Sequence, residues 1–408
     1  MRVRSLLFVL PVVLCLLPAT LSAQMTWTQA TDSAGWGPRS SHTSVVFDGK
    51  MWVLGGAKEW PTTYANDVWW STDGATWTCA TDSAPWQKRC CHASVVFDNK
   101  MWVLGGLGWD GSAYAFLHDV WWSTDGASWI CATDSAPWSG RENHQVTTFD
   151  NRMWLVAGVT NFNPPRAPRE VWYSTDGGTW VCANAAAPWV GREAPALEVY
   201  HDTMWLMGGQ TSAALLNDVW CSTDGDSWVR RVGAAPWSKR WGHRAVVLED
   251  RLWMTGGLGQ ERNVNDVWCS TDGAAWACAD TSADWRPRAC HTSLVFNDRI
   301  WVLGGDSTYN FYTTRDVWSS PGLGVEEDRP RTADRLPLTA TIVHGVLVIP
   351  TSLLSTHYSL LSTDGRMVAD LHAGANDVSR LSPGIYFVRS ALGVQREASR
   401  VAKVVLTR

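Results

Sequence analysis

Residues 66 to 77 read NDVWWSTDGATW, and the chain repeats the phrase as DVWWSTDGASW at 119 to 129, VWYSTDGGTW at 171 to 180, NDVWCSTDGDSW at 217 to 228 and NDVWCSTDGAAW at 265 to 276. Its centre has the chemistry of a tight turn. The Asp73 carboxylate can accept backbone N–H groups across the turn, Gly74 can adopt a positive φ, and Trp77 can pack on a neighbouring sheet. A phrase required so often reads as a corner of a scaffold rather than as a set of active sites, so function must be sought elsewhere in the chain.

Working outward, a tryptophan recurs before each copy of a second pattern, at Trp36, Trp86, Trp138, Trp189, Trp237 and Trp285, at intervals of 50, 52, 51, 48 and 48 residues. Three residues later comes Arg39, Arg89, Arg141, Arg192, Arg240 or Arg288, and three further on His42, His92, His144, His243 or His291, with Pro195 in the fourth copy. An apolar stretch such as TSVVFDGKMWVLGG follows. Its halves alternate like two strands about a turn at DGK, DNK, DNR or EDR, and it closes on a diglycine, as at Gly55 and Gly56. A loop of variable length then leads to the opening phrase. Each repeat therefore predicts four short antiparallel strands, and the periodic demand explains why the chain holds 29 tryptophans.

About fifty residues, four strands, a diglycine ending the second strand and a tryptophan on the fourth resemble the kelch repeat over roughly residues 26 to 320. The resemblance implies an all-β, six-bladed β-propeller. The sixth copy stops at DVWSSPG without a fourth strand, whereas the chain begins with TWT at 26 to 28, a fourth strand with nothing before it. The N-terminal strand is thus expected to close the last blade and leave no sheet edge unpaired at the seam. The corner phrase also looks like a shortened Asp-box, a turn motif found in other propellers.

Repetition inside the chain separates structural positions from free ones. A residue needed by every copy holds copies together; a residue present in one is free for other work. Four sets of six tryptophans are core by this test, leaving Trp60, Trp70, Trp109, Trp122 and Trp241. The loops between second and third strands are expected on the binding face of the ring. Four of them are aromatic, with Trp60, Tyr64, Trp109, Tyr114, Phe116, Phe162, Tyr309, Phe311 and Tyr312, and the side near Trp241 is low. Such rings suit a glycan or peptide ligand, or else pack the loops on each other. Arg39, Arg89 and Arg141 and their counterparts either line the channel and bind anions or make bonds between blades. The histidines occupy equivalent positions without HxH or HExxH spacing, so neither metal nor cofactor is predicted.

Composition narrows the class. A net charge of −5 and pI near 6.1 give no electrostatic footprint for nucleic acid. Arg2 and Arg4, the apolar run Leu6 to Leu17 and the small residues before Gln24 read as a signal peptide over 1–23, and the run is too short, and broken by Pro11, for a membrane span. Nine cysteines follow Cys15, and the spacing of Cys79 to Cys91 and Cys278 to Cys290 would allow disulfides in an oxidising compartment.

The repeats occupy 24–320, a charged proline-containing linker 321–338, and short strands of a small β-sandwich 339–408. DGRMV at 364 to 368, LSPGIYFVR at 381 to 389 and AKVVLTR at 402 to 408 resemble the C-terminal sorting domain of the type IX secretion system. By that resemblance Gly365, Arg366, Pro383, Gly384 and Tyr386 mark a segment read by the secretion machinery, and the protein is secreted or held on the outer surface after passing through the periplasm. The sequence favours a binding protein for a glycan or protein. The alternative is a carbohydrate-active enzyme like the sialic acid epimerase or the copper-dependent galactose oxidase that share kelch-like folds, with Glu142 and Glu193 as the carboxylates for acid–base work.

Overall fold

The structure, a computed structural model, describes residues 25–59, 63–109, 112–162, 166–307 and 312–322, and beyond them only the strands of the C-terminal segment. The chain divides into two compact units, Met1–Gly324 and Val325–Arg408. The first is an all-β propeller arrangement. Each repeat forms the expected antiparallel meander, as in strands Thr43–Phe47, Lys50–Glu59, Thr63–Ser71 and Thr78–Thr81. The expected six separate blades appear instead as four discrete four-stranded sheets and one nine-stranded sheet. The cause is local: the short strand Arg89–Cys90 pairs with Ala65 on one side and with Leu107 and Gly108 on the other, joining the meanders of the first two repeats. At the seam Thr28–Thr31 pairs with Thr313–Ser319, so the N-terminal strand completes the sheet of the sixth repeat.

The corner phrase does the work its chemistry allows. Asp73 Oδ1 accepts the N–H groups of Ala75 and Thr76 at 2.9 and 2.8 Å, and Ser71 Oγ accepts that of Gly74 at 2.8 Å. Gly74 has φ +74°, and a Cβ there would lie 2.1 Å from Cζ3 of Trp301 on the neighbouring sheet. Gly126 meets Trp52, Gly177 meets Trp102, Gly225 meets Trp154 and Gly273 meets Trp205 in the same way. The corner glycine is therefore the seat for the second-strand tryptophan of the adjacent repeat. Trp77 donates to the Gly74 carbonyl and stands edge-on to Trp36, 6.0 Å between ring centres. Around these contacts lie apolar clusters that each draw on two adjacent repeats, such as Val45, Trp52, Val68, Trp86, Met101 and Trp129.

The rest of the phrase, NDVW, is explained by a buried ion pair. Arg39 donates through both terminal nitrogens to Asp67 at 2.8 and 2.9 Å and also to the carbonyls of Gly55 and Trp36, while Trp69 Nε1 donates to Asp67 at 3.0 Å. The same knot forms with Asp119, Glu170, Asp218, Asp266 and Asp316, and all six arginine side chains are fully buried. Bidentate geometry, in every pair but Arg141 with Glu170, and a third donor are what make such a burial tolerable. Burial alone would raise the Asp67 carboxyl, but the hydrogen bonds and charge of Arg39 outweigh it and hold it down at about 2.

In the second unit a three-stranded sheet contains Thr341–Val343, Val346–Ile349 and Gly374–Asp377. A four-stranded sheet contains Met367–Leu371, His357–Ser362, Gly384–Ala391 and Val401–Leu406. Among the described residues no helix is long and apolar enough to cross a membrane.

Candidate functional site

Ser41, Cys91, Asn143, Ala194, Gly242 and Cys290 follow the knot arginines by two residues and all turn into the left-handed region, with φ between 43° and 63°. This conformation turns their peptide groups toward one another. Cys91 N–H donates to Ser41 O, Asn143 to Cys91, Ala194 to Asn143, Gly242 to Ala194, Cys290 to Gly242, and Ser41 to Cys290, all at 2.8 to 3.1 Å. The last bond joins the first repeat to the sixth, so the inner ends form a closed circle of backbone hydrogen bonds. Peptide groups that would be orphaned at the axis satisfy each other. A cavity of only about 20 Å³ remains beside the circle.

The residue just before each member of the circle differs from repeat to repeat: Ser40, Cys90, Glu142, Glu193, Trp241 and Ala289. Each pairs through its backbone with the residue that follows the diglycine, as Glu142 with Val159, Glu193 with Gln210 and Ala289 with Asp306. Identical backbone thus carries unlike side chains at the foot of the loops that join second to third strands. Glu193 accepts hydrogen bonds from Asn143 Nδ2 at 3.1 Å and from Gln210 Nε2 at 2.8 Å. Glu142, 7% exposed, is its neighbour. Burial and then the nearby Glu193 charge push the Glu142 carboxyl up to about 7, only partly countered by a hydrogen bond with Cys91. A carboxyl of that affinity can give or take a proton at neutral pH. Asp306, also on this rim, is pushed up by burial to about 6 and leaves Oδ1 without a partner.

Five of the loop aromatics, Tyr64, Trp109, Tyr114, Phe116 and Phe162, make ring contacts with one another. Tyr64, 3% exposed, is 6.0 Å from Tyr114, which lies 4.5 Å from Trp109, and Phe116 lies 4.6 Å from Phe162. Tyr64 also packs with Ala57, Cys90 and Leu107, so it is a core residue rather than a contact surface. Tyr114, Phe162 and Tyr312 are exposed, and Trp241 is half-buried on the rim of the circle. Trp60, Tyr309 and Phe311 lie outside the described residues, as do Gly365, Arg366 and Pro383; Gly384 and Tyr386 belong to strand Gly384–Ala391.

Two readings that the sequence left open do not hold. Arg39, Arg89 and Arg141 do not line a channel, because their guanidinium groups are consumed by carboxylates and carbonyls inside the knots. Cys79 with Cys91 and Cys278 with Cys290 are free thiols, and Cys91 instead has its sulfur 3.5 Å from that of Cys90. The histidines are stays: a Cβ on Gly56 would come 2.6 Å from that of His42, and Thr43 Oγ1 is 2.9 Å from His92 Nε2. Among the described residues no three His, Cys, Asp or Glu side chains converge as metal ligands. Asn143, Gln210 and Asp306 were not singled out by the sequence, although each is a single-copy residue at a repeated position.

No family model and no curated protein matches the chain. The solved structure of YjhT is similar, with a TM-score of 0.61 and 17% identity over 71% of this chain and 96% of that one. At that identity the similarity is one of fold, and the shared fold is the propeller arrangement of the first unit.

Proposed function

We propose that the chain is an exported kelch-like propeller whose rim acts on a carbohydrate by proton transfer, with Glu142 as the acid–base group and Glu193 fixed beside it. The single observation that carries this reading is the carboxyl pair itself. Two glutamates occupy adjacent positions on a circle where every repeat is free to place a different residue, and burial beside Glu193 holds Glu142 near neutrality. Several of the described loop aromatics, by contrast, pack on each other, and Tyr64 is buried. That shifts the balance from a pure binding protein toward the enzyme alternative, and toward epimerase-like rather than oxidase-like chemistry.

Six blades are part of the proposal. The nine-stranded sheet separates at Arg89–Cys90 into two meanders equivalent to the other four, and the circle of backbone bonds has six members. Removal of a signal peptide, passage through the periplasm and recognition of the tail by type IX secretion machinery rest on the sequence resemblance.

The reaction class is tested by incubating the full chain in D2O with a panel of reducing sugars and sialic acids and following deuterium entry at carbon by NMR. The expected result is exchange at a carbon beside a carbonyl, lowered at least ~100-fold in Glu142→Gln and following an ionisation near pH 7 in the wild type. Binding without exchange would overturn it. A second reading is favoured by the exposed rings of Tyr114 and Tyr312: a glycan- or protein-binding face. Under that reading Tyr114→Ala and Tyr312→Ala abolish capture on a glycan array while Glu142→Gln does not.

A further inference from the structure

On the other side of the circle from the loops, the first strands enclose a cavity of about 140 Å³ along the axis. Its wall is polar, and two of its residues break the repeat. The first position of the first strand is Thr43, Ala93, Gln145, Ala196 and Thr292 in five copies and Arg244 in the other; the third position is Val45, Val95, Thr147, Val246 and Leu294 in five copies and Glu198 in the other. Both Arg244 and Glu198 line the cavity.

Arg244 contrasts with the knot arginines of its own chain. Each of those has a carboxylate within 2.9 Å, whereas no ion pair to Arg244 exists among the described residues. Its one hydrogen bond is a long one, 3.3 Å, to the His243 carbonyl. A guanidinium half-buried in a narrow cavity and without an anion draws a counter-charge or ordered water to itself. The wall also offers donors with nothing to donate to: Ser44 Oγ and Ser94 Oγ are buried without partners.

We propose that this axial cavity is a binding site for a small oxyanion, a short carboxylate or an inorganic oxyanion such as phosphate or sulfate, with Arg244 as its counter-charge. The hydroxyls of Ser44 and Ser94 supply further donors at the wall. The facing titratable groups do not oppose an anion. Burial keeps His42, His92, His144 and His291 neutral, and it pushes the Glu198 carboxyl up to about 8, so at neutral pH Glu198 carries its proton and donates rather than repels. The cavity has room for a small oxyanion together with several ordered waters. The site is separate from the Glu142 rim and does not depend on it.

The test uses the full chain, exchanged into a buffer free of small oxyanions, with titrations of phosphate, sulfate, acetate and lactate by calorimetry and thermal melting. One site per chain is expected, with a rise in melting temperature of about 3 °C or more at saturation, and at least a tenfold loss of affinity in Arg244→Met. Which of the four binds separates a carboxylate guest from an inorganic one. Should Arg244→Met fail to fold, crystals of the wild type grown with selenate decide the matter: an anomalous peak beside Arg244 supports the site. Absence of any saturable binding, binding unchanged in Arg244→Met, or selenate found only at the outer surface would each overturn it.

Discussion

Asp67 and Glu198 are both carboxylic acids in the inner part of the propeller, yet they stand at opposite ends of the acid scale, at about 2 and about 8. Asp67 is buried against Arg39, with Trp69 and Lys58 as further donors. Glu198 is half-buried in the cavity wall, with only the Val199 backbone to help it. The knot that contains Asp67 is present in all six repeats, while Glu198 and its neighbour in the wall, Arg244, occur once. Where the fold needs a charge inside, it provides the partner in the same repeat. A charge inside without a partner belongs to whatever enters from outside.

Breaking a knot should have the largest effect. Arg192→Met strands the buried Asp218, which pairs with no other cation among the described residues, and is expected to cost about 3–5 kcal/mol in urea unfolding of the first unit. Arg39→Met should cost less, because Lys58 remains 2.8 Å from Asp67, and Arg141→Met less as well, because Glu170 is 28% exposed. Equal losses at all three positions would mean that the arginines act through packing rather than charge. Next comes the seat of the tryptophan: Gly126→Ala places a methyl 2.1 Å from Trp52 at φ +74° and should cost about 2–3 kcal/mol, whereas Gly178→Ala, with nothing nearer than 3.5 Å, should fall within about 0.5 kcal/mol of wild type.

Acid should dissolve the same distinction. The Asp67 pKa is depressed on folding, so its contribution is complete above its unfolded value near 4 and is lost as pH falls through about 2. Glu142 and Glu198 have the opposite sign. Their folded values are raised, so they stabilise most below about pH 4 and lose that contribution as pH rises toward 7 and 8. A stability profile with its optimum on the acid side of neutrality is expected, and Glu198→Gln should flatten its alkaline limb. An alkaline limb unchanged by that substitution would argue that Glu198 is solvated.

The scaffold was legible because it is written many times. DVW, STDGATW, the diglycine and the arginine each recur at fixed spacing, and each proves to be one half of a contact whose other half also recurs: Arg39 with Asp67, Gly74 with Trp301, Gly56 with His42. Seam closure followed from the unmatched strands at the two ends. The joining of the first two meanders was not legible, since it depends on a two-residue strand with no pattern of its own. The proposed axial wall is legible in principle by the same comparison: carried from the tryptophans and loops to the first strand, the single-copy test makes Arg244 and Glu198 stand out against threonine and valine.

The smallest effect sharpens the comparison most. In oxyanion-free buffer Arg244→Met removes a guanidinium that has no carboxylate to leave behind, so the penalty of the knot substitutions has no counterpart. Stability should stay within about 1 kcal/mol of wild type or rise, because the charge itself was the unfavourable element and methionine fills similar space in the wall. Thermal melts of Arg192→Met and Arg244→Met in parallel therefore measure the same residue type in the two settings. A loss at Arg244 as large as that at Arg192 would mean that the channel arginine has an internal partner and is structural, and the distinction between repeated and single-copy charges would fail.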